Sequence, residues 1–483
     1  TLDMKLQRIC ERMVSAYVKR REVDGIENAC VLLLDTKSMA LRAGVGSADF
    51  FNDSIQGQVN GLKMKRSPGS ALKPFIYGLA IDAGLIHPEL GLKDTPMSFA
   101  GYQPTNYDGG YAGWLSATNA LVESRNVPAV YLGSQLGEAH VYSFLQDAGI
   151  SRLRESSYYG LTLPLGSSEV SPFELGELYA LLANGGEIQD IRVIESAQPH
   201  KGARLMSGEA AFLVLDMLQQ AQPPQVFQDY SGARTRNLDG VAWKTGTSWG
   251  FRDGWSVGVF DDYVMVVWVG NFAGEGHESL NGRHGAGPLF FSLVEALRNQ
   301  NPLVRSNPFK PDPQLNLRPA KLCAVSGAIP NQHCSDVIDG WFIPGVSPIS
   351  KCEIHRIDPA CDGACCVSEC FPEDVQAVFI QNGKPGSVSN AIVFNTDSWI
   401  QSPQGGEQFI LQRDSSKNAV ILRTWLDQES RVQWYANSVF IGHSDSNGNL
   451  KWSPKNAGTY QIMAKGASGK IDQVRVKVLD MID

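Results

Sequence analysis

The sequence predicts an α+β protein in three parts: a five-stranded antiparallel sheet with helices on both faces plus a helical subdomain (residues 1–300), a Pro- and Cys-rich connecting segment (301–372), and a small all-β sandwich (373–483). Three observations predict this. Strand-like runs fall into an early pair and a late trio, with helical spacing between and around them, as one sheet covered by helices requires. The middle stretch gathers prolines and cysteines and has little apolar periodicity. The remainder is a series of short alternating runs separated by turn signals, the pattern of a sandwich.

Leu2, Leu6, Ile9, Met13 and Tyr17 recur at helical spacing, so an amphipathic helix opens the chain over residues 2–22. Val31-Leu32-Leu33-Leu34, a turn at Asp35 to Ser38, and Met39 to Val45 read as a β-hairpin. Pro68-Gly69 breaks the chain before Ser70, and Ala71 to Leu85 reads as a buried helix that tolerates Pro74 in its first turn. Helical and loop signals dominate from about 85 to 236, including a helix over 173–184 stopped by Gly185-Gly186. Three strands follow, Val241 to Lys244, Trp255 to Phe260 and Tyr263 to Val269, and a helix over Pro288 to Asn299 closes the unit. The first and last helices, both amphipathic, are expected to share one face of the sheet. Residues 301–320 hold five prolines and read as a linker. Beyond 373 the predicted strands are Phe409 to Leu411, Ala419 to Trp425, Val432 to Ile441, Thr459 to Ala464 and Val474 to Leu479, with turns at Asn447-Gly448-Asn449 and Gly466-Ala467-Ser468-Gly469.

Bulk properties exclude several functions. With 43% hydrophobic and 19% charged residues in 483, the chain is globular and long enough for more than one core. A net charge of −8, with no basic run denser than Lys19-Arg20-Arg21, leaves no nucleic-acid footprint. No stretch approaches the roughly 18 apolar residues of a membrane span, and the first residues lack a signal peptide's charged head and apolar run. Seven of the nine cysteines lie between Cys323 and Cys370. Such density in a loop-rich stretch predicts disulfides formed in an oxidising compartment. Metal binding is the alternative, through Cys352-x-x-His355, Cys361-x-x-x-Cys365 or Cys366-x-x-x-Cys370, but no Cys-x-x-Cys pair is present. Neither a metal nor a cofactor is therefore called for. Seven is odd, which leaves one thiol free or paired with Cys10 or Cys30; those two also read as inert buried thiols.

Chemistry is concentrated in three stretches. In Ser70-Ala71-Leu72-Lys73 the lysine follows the serine by one helical turn, close enough to take its proton if burial or a neighbouring cation lowers the lysine pKa. Ser70 stands at a helix N-terminus, where backbone N–H groups favour developing negative charge. Ser124-Arg125-Asn126 adds a second hydroxyl and an amide, and Lys244-Thr245-Gly246-Thr247 a cation and two hydroxyls fit for a substrate carboxylate. Each pattern alone is weak: Ser-x-Asn recurs at Ser279-Leu280-Asn281 and Ser416-Lys417-Asn418. Their order, and their placement at a helix start, in the helical middle of the chain and on the first of the late strands, carry the assignment. Catalytic candidates are Ser70, Lys73 and Ser124; substrate-binding candidates are Asn126, Lys244, Thr245, Gly246 and Thr247. Gly246-Thr247-Ser248-Trp249-Gly250 also spells the nucleophile elbow Gly-x-Ser-x-Gly, which demands a following helix. Residues 251–271 alternate like a hairpin, so the elbow is set aside.

These motifs resemble those of the class A penicillin-binding proteins, from their transpeptidase domain to the C-terminus. The resemblance extends to Thr1-Leu2-Asp3, Arg66-Ser67-Pro68-Gly69-Ser70, Pro104-Thr105-Asn106-Tyr107-Asp108, Asn126-Val127-Pro128-Ala129-Val130 and Leu182-Ala183-Asn184-Gly185-Gly186. It continues through Arg252-Asp253-Gly254-Trp255, Val267-Trp268-Val269-Gly270-Asn271, Leu322-Cys323-Ala324-Val325-Ser326-Gly327 and Val432-Gln433-Trp434-Tyr435. Gly254 stands where alanine is commoner. The resemblance implies the penicillin-binding protein/β-lactamase-like transpeptidase fold and a periplasmic enzyme cross-linking D-Ala-D-Ala stem peptides of peptidoglycan. In that role Ser70 attacks, Lys73 takes its proton, Ser124 relays a proton and Asn126 binds the substrate amide. Lys244, Thr245 and Thr247 hold the carboxylate, and the amides of Ser70 and Thr247 form the oxyanion hole. Implied partners are stem peptides, β-lactam antibiotics and a periplasmic α2-macroglobulin-like protein. The family's membrane anchor and glycosyltransferase domain are absent from this sequence, so a fragment beginning at the transpeptidase is expected, held at the inner membrane in the full-length protein.

Three rivals share part of this machinery. A class A β-lactamase needs a glutamate-activated water, and Glu89 is the candidate, 19 residues after Ser70 and without a trailing asparagine. A D,D-carboxypeptidase would use water as acceptor. A non-turnover β-lactam-binding scaffold or sensor would keep only the acylation site. The C-terminal unit reads as a spacer or docking module, with glycan stacking on Trp452 as the alternative and Trp434 as core.

Overall fold

The computed structural model describes residues 1–99, 102–195, 202–224, 238–300, 309–357, 367–383, 400–403, 407–411, 418–424, 432–444, 449–466 and 471–479. Trp425, Cys361, Cys365, Cys366, residues 301–308 of the predicted linker, and most of the turns at 447–449 and 466–469 lie outside them.

The chain opens with α1 (Met4–Arg21), whose N-cap Asp3 accepts from the amides of Lys5 and Leu6. Strands β1 (Asn28–Asp35) and β2 (Leu41–Val45) form the predicted hairpin. A 3₁₀ turn over Gly69–Leu72 leads into α2 (Lys73–Asp82), which is buried almost all round. Three short strands follow, β3 (Gly91–Asp94), β4 (Met97–Ser98) and β5 (Gly113–Ser116). The helical subdomain comprises α3 (Ala117–Val122), α4 (Asn126–Leu136), α5 (Glu138–Asp147), α6 (Ser156–Tyr159), α7 (Pro172–Ala183) and α8 (Gly208–Leu218). Strands β6 (Val241–Thr247), β7 (Asp253–Phe260) and β8 (Tyr263–Gly270) and helix α9 (Gly287–Gln300) complete the unit.

The sheet runs β2-β1-β8-β7-β6, antiparallel throughout. Its strands are apolar at nearly every position because both faces are covered. Leu32, Leu34, Val257 and Val266 pack into the core built with α2, α7 and α8. Val31, Leu33, Met265 and Val267, the alternate positions, pack with α1 and α9 on the other face, as the period of two demands.

The connecting segment holds two antiparallel pairs, β9 (Arg318–Cys323) with β10 (Val337–Phe342) and β11 (His355–Ile357) with β12 (Val367–Glu369). Among the described residues Cys323, Cys334 and Cys352 are free thiols, contrary to the disulfides that the cysteine density predicts. Cys10 and Cys30 are buried free thiols; burial pushes Cys10 up to about 12 and Cys30 higher still, so both are inert.

The C-terminal part departs from the sequence reading in three ways. It begins not with a strand but with helix α10 (Glu373–Gln381), whose Phe379 packs edge-on against Phe371 beside Trp114. Its strands are β13 (Ile400–Ser402), β14 (Gln408–Ile410), β15 (Val420–Thr424), β16 (Gln433–Ala436), β17 (Val439–His443), β18 (Asn449–Trp452), β19 (Gly458–Lys465) and β20 (Ile471–Leu479). The expected single strand Val432 to Ile441 is thus a hairpin, because Asn437 and Ser438 both take left-handed backbone, φ 48° and 67°, as a type I′ turn requires. Trp452 is buried with Trp434 in the core between the two sheets, which removes it as a sugar-stacking platform. The larger sheet, β17-β16-β19-β20-β14-β4, borrows its last strand from the first unit: Gln408 pairs with Met97 and Phe409 with Ser98, in parallel. Asp374 adds bonds to Lys93 at 3.0 Å and Thr95 at 3.0 Å. Among the described residues no helix is long and apolar enough to cross a membrane.

Candidate active site

Ser70 lies half-buried in the 3₁₀ turn that enters α2, and Lys73 is the first residue of the helix proper. The turn is pressed against the edge strand β6. Gly69 has φ +52°, and a Cβ there would stand 2.3 Å from the Thr247 carbonyl oxygen; one on Gly246 would stand 2.0 Å from the Pro68 oxygen. Backbone meets backbone at both places, so neither glycine can gain a side chain without parting the Ser70 turn from β6. The Trp255 indole donates to the Ser67 carbonyl at 3.0 Å and the Tyr179 hydroxyl to the Ala71 carbonyl at 2.9 Å, fixing the turn from both ends.

Lys73 is fully buried. Its amine donates to the carbonyl oxygens of Ser124 at 2.6 Å and Arg125 at 3.0 Å, and to Asn126 Oδ1 at 2.6 Å. The second motif is therefore brought onto the lysine of the first. The contact is to the Ser124 carbonyl, not to its hydroxyl, and no hydrogen bond joins the Lys73 amine to Ser70 Oγ among the described residues. Burial, then the charges of Lys244 and Arg125, hold the Lys73 pKa well below the ordinary lysine value, against a weaker opposing pull from Asp94. A lysine so placed is driven toward the neutral amine, the form that accepts a proton.

The Ser124 loop is shaped by a polar cluster. Ser124 sits between α3 and α4 with φ +62°, a strained conformation for a side-chain-bearing residue. Arg125 beneath it donates to Asp94 Oδ2 at 2.7 Å, Asp108 Oδ2 at 2.8 Å and the Gly110 carbonyl at 2.6 Å. Asn106 donates to Asp94 Oδ1 at 2.8 Å and accepts from the Asn126 amide at 2.7 Å. Asn126 Nδ2 donates to the Thr105 carbonyl at 2.7 Å. Asp94, Asn106, Asp108 and Arg125 were not singled out from sequence. The signal available was the Pro104–Asp108 stretch, noted for resemblance but given no role.

On β6, Lys244 is buried, and burial with the nearby Arg283 charge brings its pKa down to about 7. Thr245 and Thr247 are half-exposed beside it, and Thr247 Oγ1 accepts from the Gly282 amide at 3.1 Å. No helix follows Gly250; Asp253–Phe260 is a strand, so the nucleophile-elbow reading fails. Beyond the strand, Ser248 donates to Asp253 at 2.8 Å, leaving Trp249 91% exposed at the tip, with Phe251 edge-on to exposed Tyr107. Glu89 lies elsewhere: a Cβ on Gly340 of the connecting segment would meet its Cγ at 3.1 Å, and its charged neighbour is Asp216.

Comparison with known proteins agrees with this geometry. Residues 29–281 match the penicillin binding protein transpeptidase domain family, and residues 398–477 the penicillin-binding protein C-terminus family. Penicillin-binding protein 1C of Escherichia coli strain K12 is 33% identical over 356 residues, 72% of this chain and 44% of that protein. Penicillin-binding protein 1A of Neisseria gonorrhoeae is 29% identical over 258 residues, 49% of this chain and 31% of that protein. The chain thus spans less than half the length of these curated relatives. Among solved structures, penicillin-binding protein 1A of Haemophilus influenzae superposes with a TM-score of 0.57 at 20% identity, covering 67% of this chain and 54% of that one. The transpeptidase domain of Burkholderia pseudomallei penicillin-binding protein 3 gives 0.52 at 21% identity, covering 64% and 97%. The sheet between two helical layers, the convergence of three motifs on the Ser70 turn and a family match spanning residues 29–281 lead to one conclusion: this chain belongs to the penicillin-binding protein transpeptidase family.

Proposed function

We propose that the chain is a serine D,D-transpeptidase of peptidoglycan synthesis, acting in the bacterial periplasm on D-Ala-D-Ala stem peptides and acylated by β-lactams. The observation that carries this reading is the buried Lys73 amine held between the Ser70 turn and the 124–126 loop, beside the carboxylate-binding strand. Ser70 Oγ attacks the penultimate D-Ala carbonyl and its proton passes to neutral Lys73, which first lets go of one acceptor. The oxyanion forms against the amides of Ser70 and Thr247. Ser124 passes the proton to the departing nitrogen, and free D-Ala leaves with the terminal carboxylate released from Lys244, Thr245 and Thr247. An amine from a second stem peptide then attacks the ester, restoring Ser70 and forming the cross-link. Asn126 hydrogen-bonds the donor's backbone. With Glu89 turned to the connecting segment, no carboxylate is assigned to activate a deacylating water, so a penicilloyl ester should persist.

Intact-mass analysis after ampicillin exposure should show one adduct that maps to the Ser70 peptide. Donor peptide with an added amine should yield the amide product. D-Ala release without amide would make the chain a carboxypeptidase, and an adduct without any turnover would make it a scaffold or sensor.

The Lys244 value also fixes a pH dependence. Its charge is present below about 7 and is lost above it. The second-order constant for acylation by a carboxylate-bearing penicillin, which reports the free enzyme, should therefore fall as pH rises through about 7. The methyl ester of the same penicillin should lack that fall. An identical alkaline limb for acid and ester would remove Lys244 from carboxylate binding.

A further inference from the structure

Away from the cleft, three thiols and an imidazole from separate parts of the connecting segment face one another. Cys323 ends β9, Cys334 closes the turn begun at Asn331, Cys352 follows the bridge of Ile329 to Lys351, and His355 opens β11. Their donor atoms all lie within 4.8 Å of one another. Cys323 Sγ and Cys352 Sγ are 3.7 Å apart, and His355 Nδ1 is 3.3 Å from the first and 3.5 Å from the second. Zinc bonds of about 2.3 Å to sulfur and about 2.0–2.1 Å to nitrogen, arranged tetrahedrally, give ligand spacings of about 3.8 Å between sulfurs and about 3.5 Å from sulfur to nitrogen. The three spacings among Cys323, Cys352 and His355 match that tetrahedron within a few tenths of an ångström, and Cys334 Sγ lies within 4.8 Å of each of them.

We propose that Cys323, Cys334, Cys352 and His355 form a structural zinc site. This revises the sequence expectation of no metal, which rested on the missing Cys-x-x-Cys pair. Folding supplies the ligand set from distant positions instead.

The surroundings suit a charged centre. The Asn331 amide donates to Cys334 Sγ at 3.3 Å. Asn331 Nδ2 clamps the carbonyls of Cys352 at 2.8 Å and His355 at 2.9 Å, holding two ligands in register. With Nδ1 turned to the sulfurs, His355 Nε2 faces Glu369 at 3.8 Å, the carboxylate–histidine–metal arrangement that orients a ligating imidazole. Cys323, Cys352 and His355 are buried while Cys334 is partly exposed, which leaves one approach for the ion. Binding would displace the thiol protons to solvent and form three zinc–thiolate bonds and one zinc–imidazole bond. Four protein ligands leave no open position for substrate, so the role is structural.

The turn that carries Cys323 also docks on the first unit. The Trp114 indole donates to the Val325 carbonyl at 2.8 Å, and the Gly91 amide to the Ser326 carbonyl at 3.0 Å. The ion would thus staple the connecting segment to β3 and β5, which lead into α3 and the Ser124 loop.

The test uses the chain purified without chelator: metal analysis by inductively coupled plasma mass spectrometry, with alkylation mapping of the folded chain under non-reducing conditions before and after chelation. One zinc per chain is expected, with Cys323, Cys334 and Cys352 alkylated only once the ion is chelated. Cys352→Ser should lose the zinc, and ampicillin labelling of that variant reports whether the first unit is folded. A chain that stays empty on equilibration with zinc, a Cys323–Cys352 disulfide in the map, or zinc retained by folded Cys352→Ser would each overturn the proposal. The chelation arm needs no variant and decides the matter if Cys352→Ser does not fold.

Discussion

Ser70→Ala is expected to take no covalent penicillin, and Lys73→Met to acylate about 10²–10⁴-fold more slowly, the range a positioned general base contributes. The first substitution removes the only oxygen that can form the ester while leaving the turn's backbone against β6 intact. The second keeps the length and apolar stem of a side chain that is fully buried, and removes only the amine. The size of the effect follows from the lysine's surroundings. Burial and the charges of Lys244 and Arg125 push the amine toward its neutral, proton-accepting form, and it is held between the Ser70 turn and the 124–126 loop. Methionine also leaves the Ser124 and Arg125 carbonyls and Asn126 Oδ1 without their donor, which should cost about 1–3 kcal/mol of stability. Rates should therefore be compared below the unfolding transition, followed by tryptophan fluorescence in urea. Stopped-flow acylation of Lys73→Met at the unsubstituted rate would dismiss Lys73 as the base. An adduct on Ser70→Ala would dismiss Ser70 as the nucleophile.

The sheet was legible because its information is local. Val31 to Leu34, Trp255 to Phe260 and Tyr263 to Val269 are apolar runs bounded by turns, and each became a strand of the central sheet. The three motifs were legible because each spacing is set by one helical turn, one loop or one strand. What brings them together was not. Gly69 and Gly246 touch the opposite backbone across a long stretch of sequence, and that contact leaves no periodic trace. The same holds for Asp94, Asn106 and Arg125, three polar residues from different segments whose roles exist only once they meet. In the C-terminal part, Asn437-Ser438 hid a hairpin because neither residue is the glycine that usually marks such a turn. Met97–Ser98 is too short to read as a strand until Gln408–Ile410 lies beside it. The zinc ligands failed for a related reason: Cys323, Cys334 and Cys352 are spaced by folding rather than by a short motif.

Arg125→Met should lower the stability of the first unit by about 3–5 kcal/mol, the usual consequence of leaving a buried charge without its partner. Asp94 is fully buried, and its carboxylate is held by the Arg125 guanidinium at 2.7 Å, by Asn106 and by the Ala112 amide at 2.8 Å. Methionine fills most of the arginine's volume, so the loss would come from charge and hydrogen bonds rather than from a cavity. Ser124, already strained at φ +62°, would lose the anchor one residue away, and Lys73 would lose two well-placed carbonyl acceptors. Penicillin acylation should therefore fall together with the unfolding midpoint. Asp94→Asn separates the two causes, because the amide removes the stranded charge but keeps the shape. Added to Arg125→Met, it should recover part of the stability, while the acylation rate recovers less because the loop remains unanchored. Equal destabilisation of the single and double variants would show that Arg125 acts through packing instead. Unchanged acylation in Arg125→Met would show that the Ser124 loop holds its geometry without this cluster.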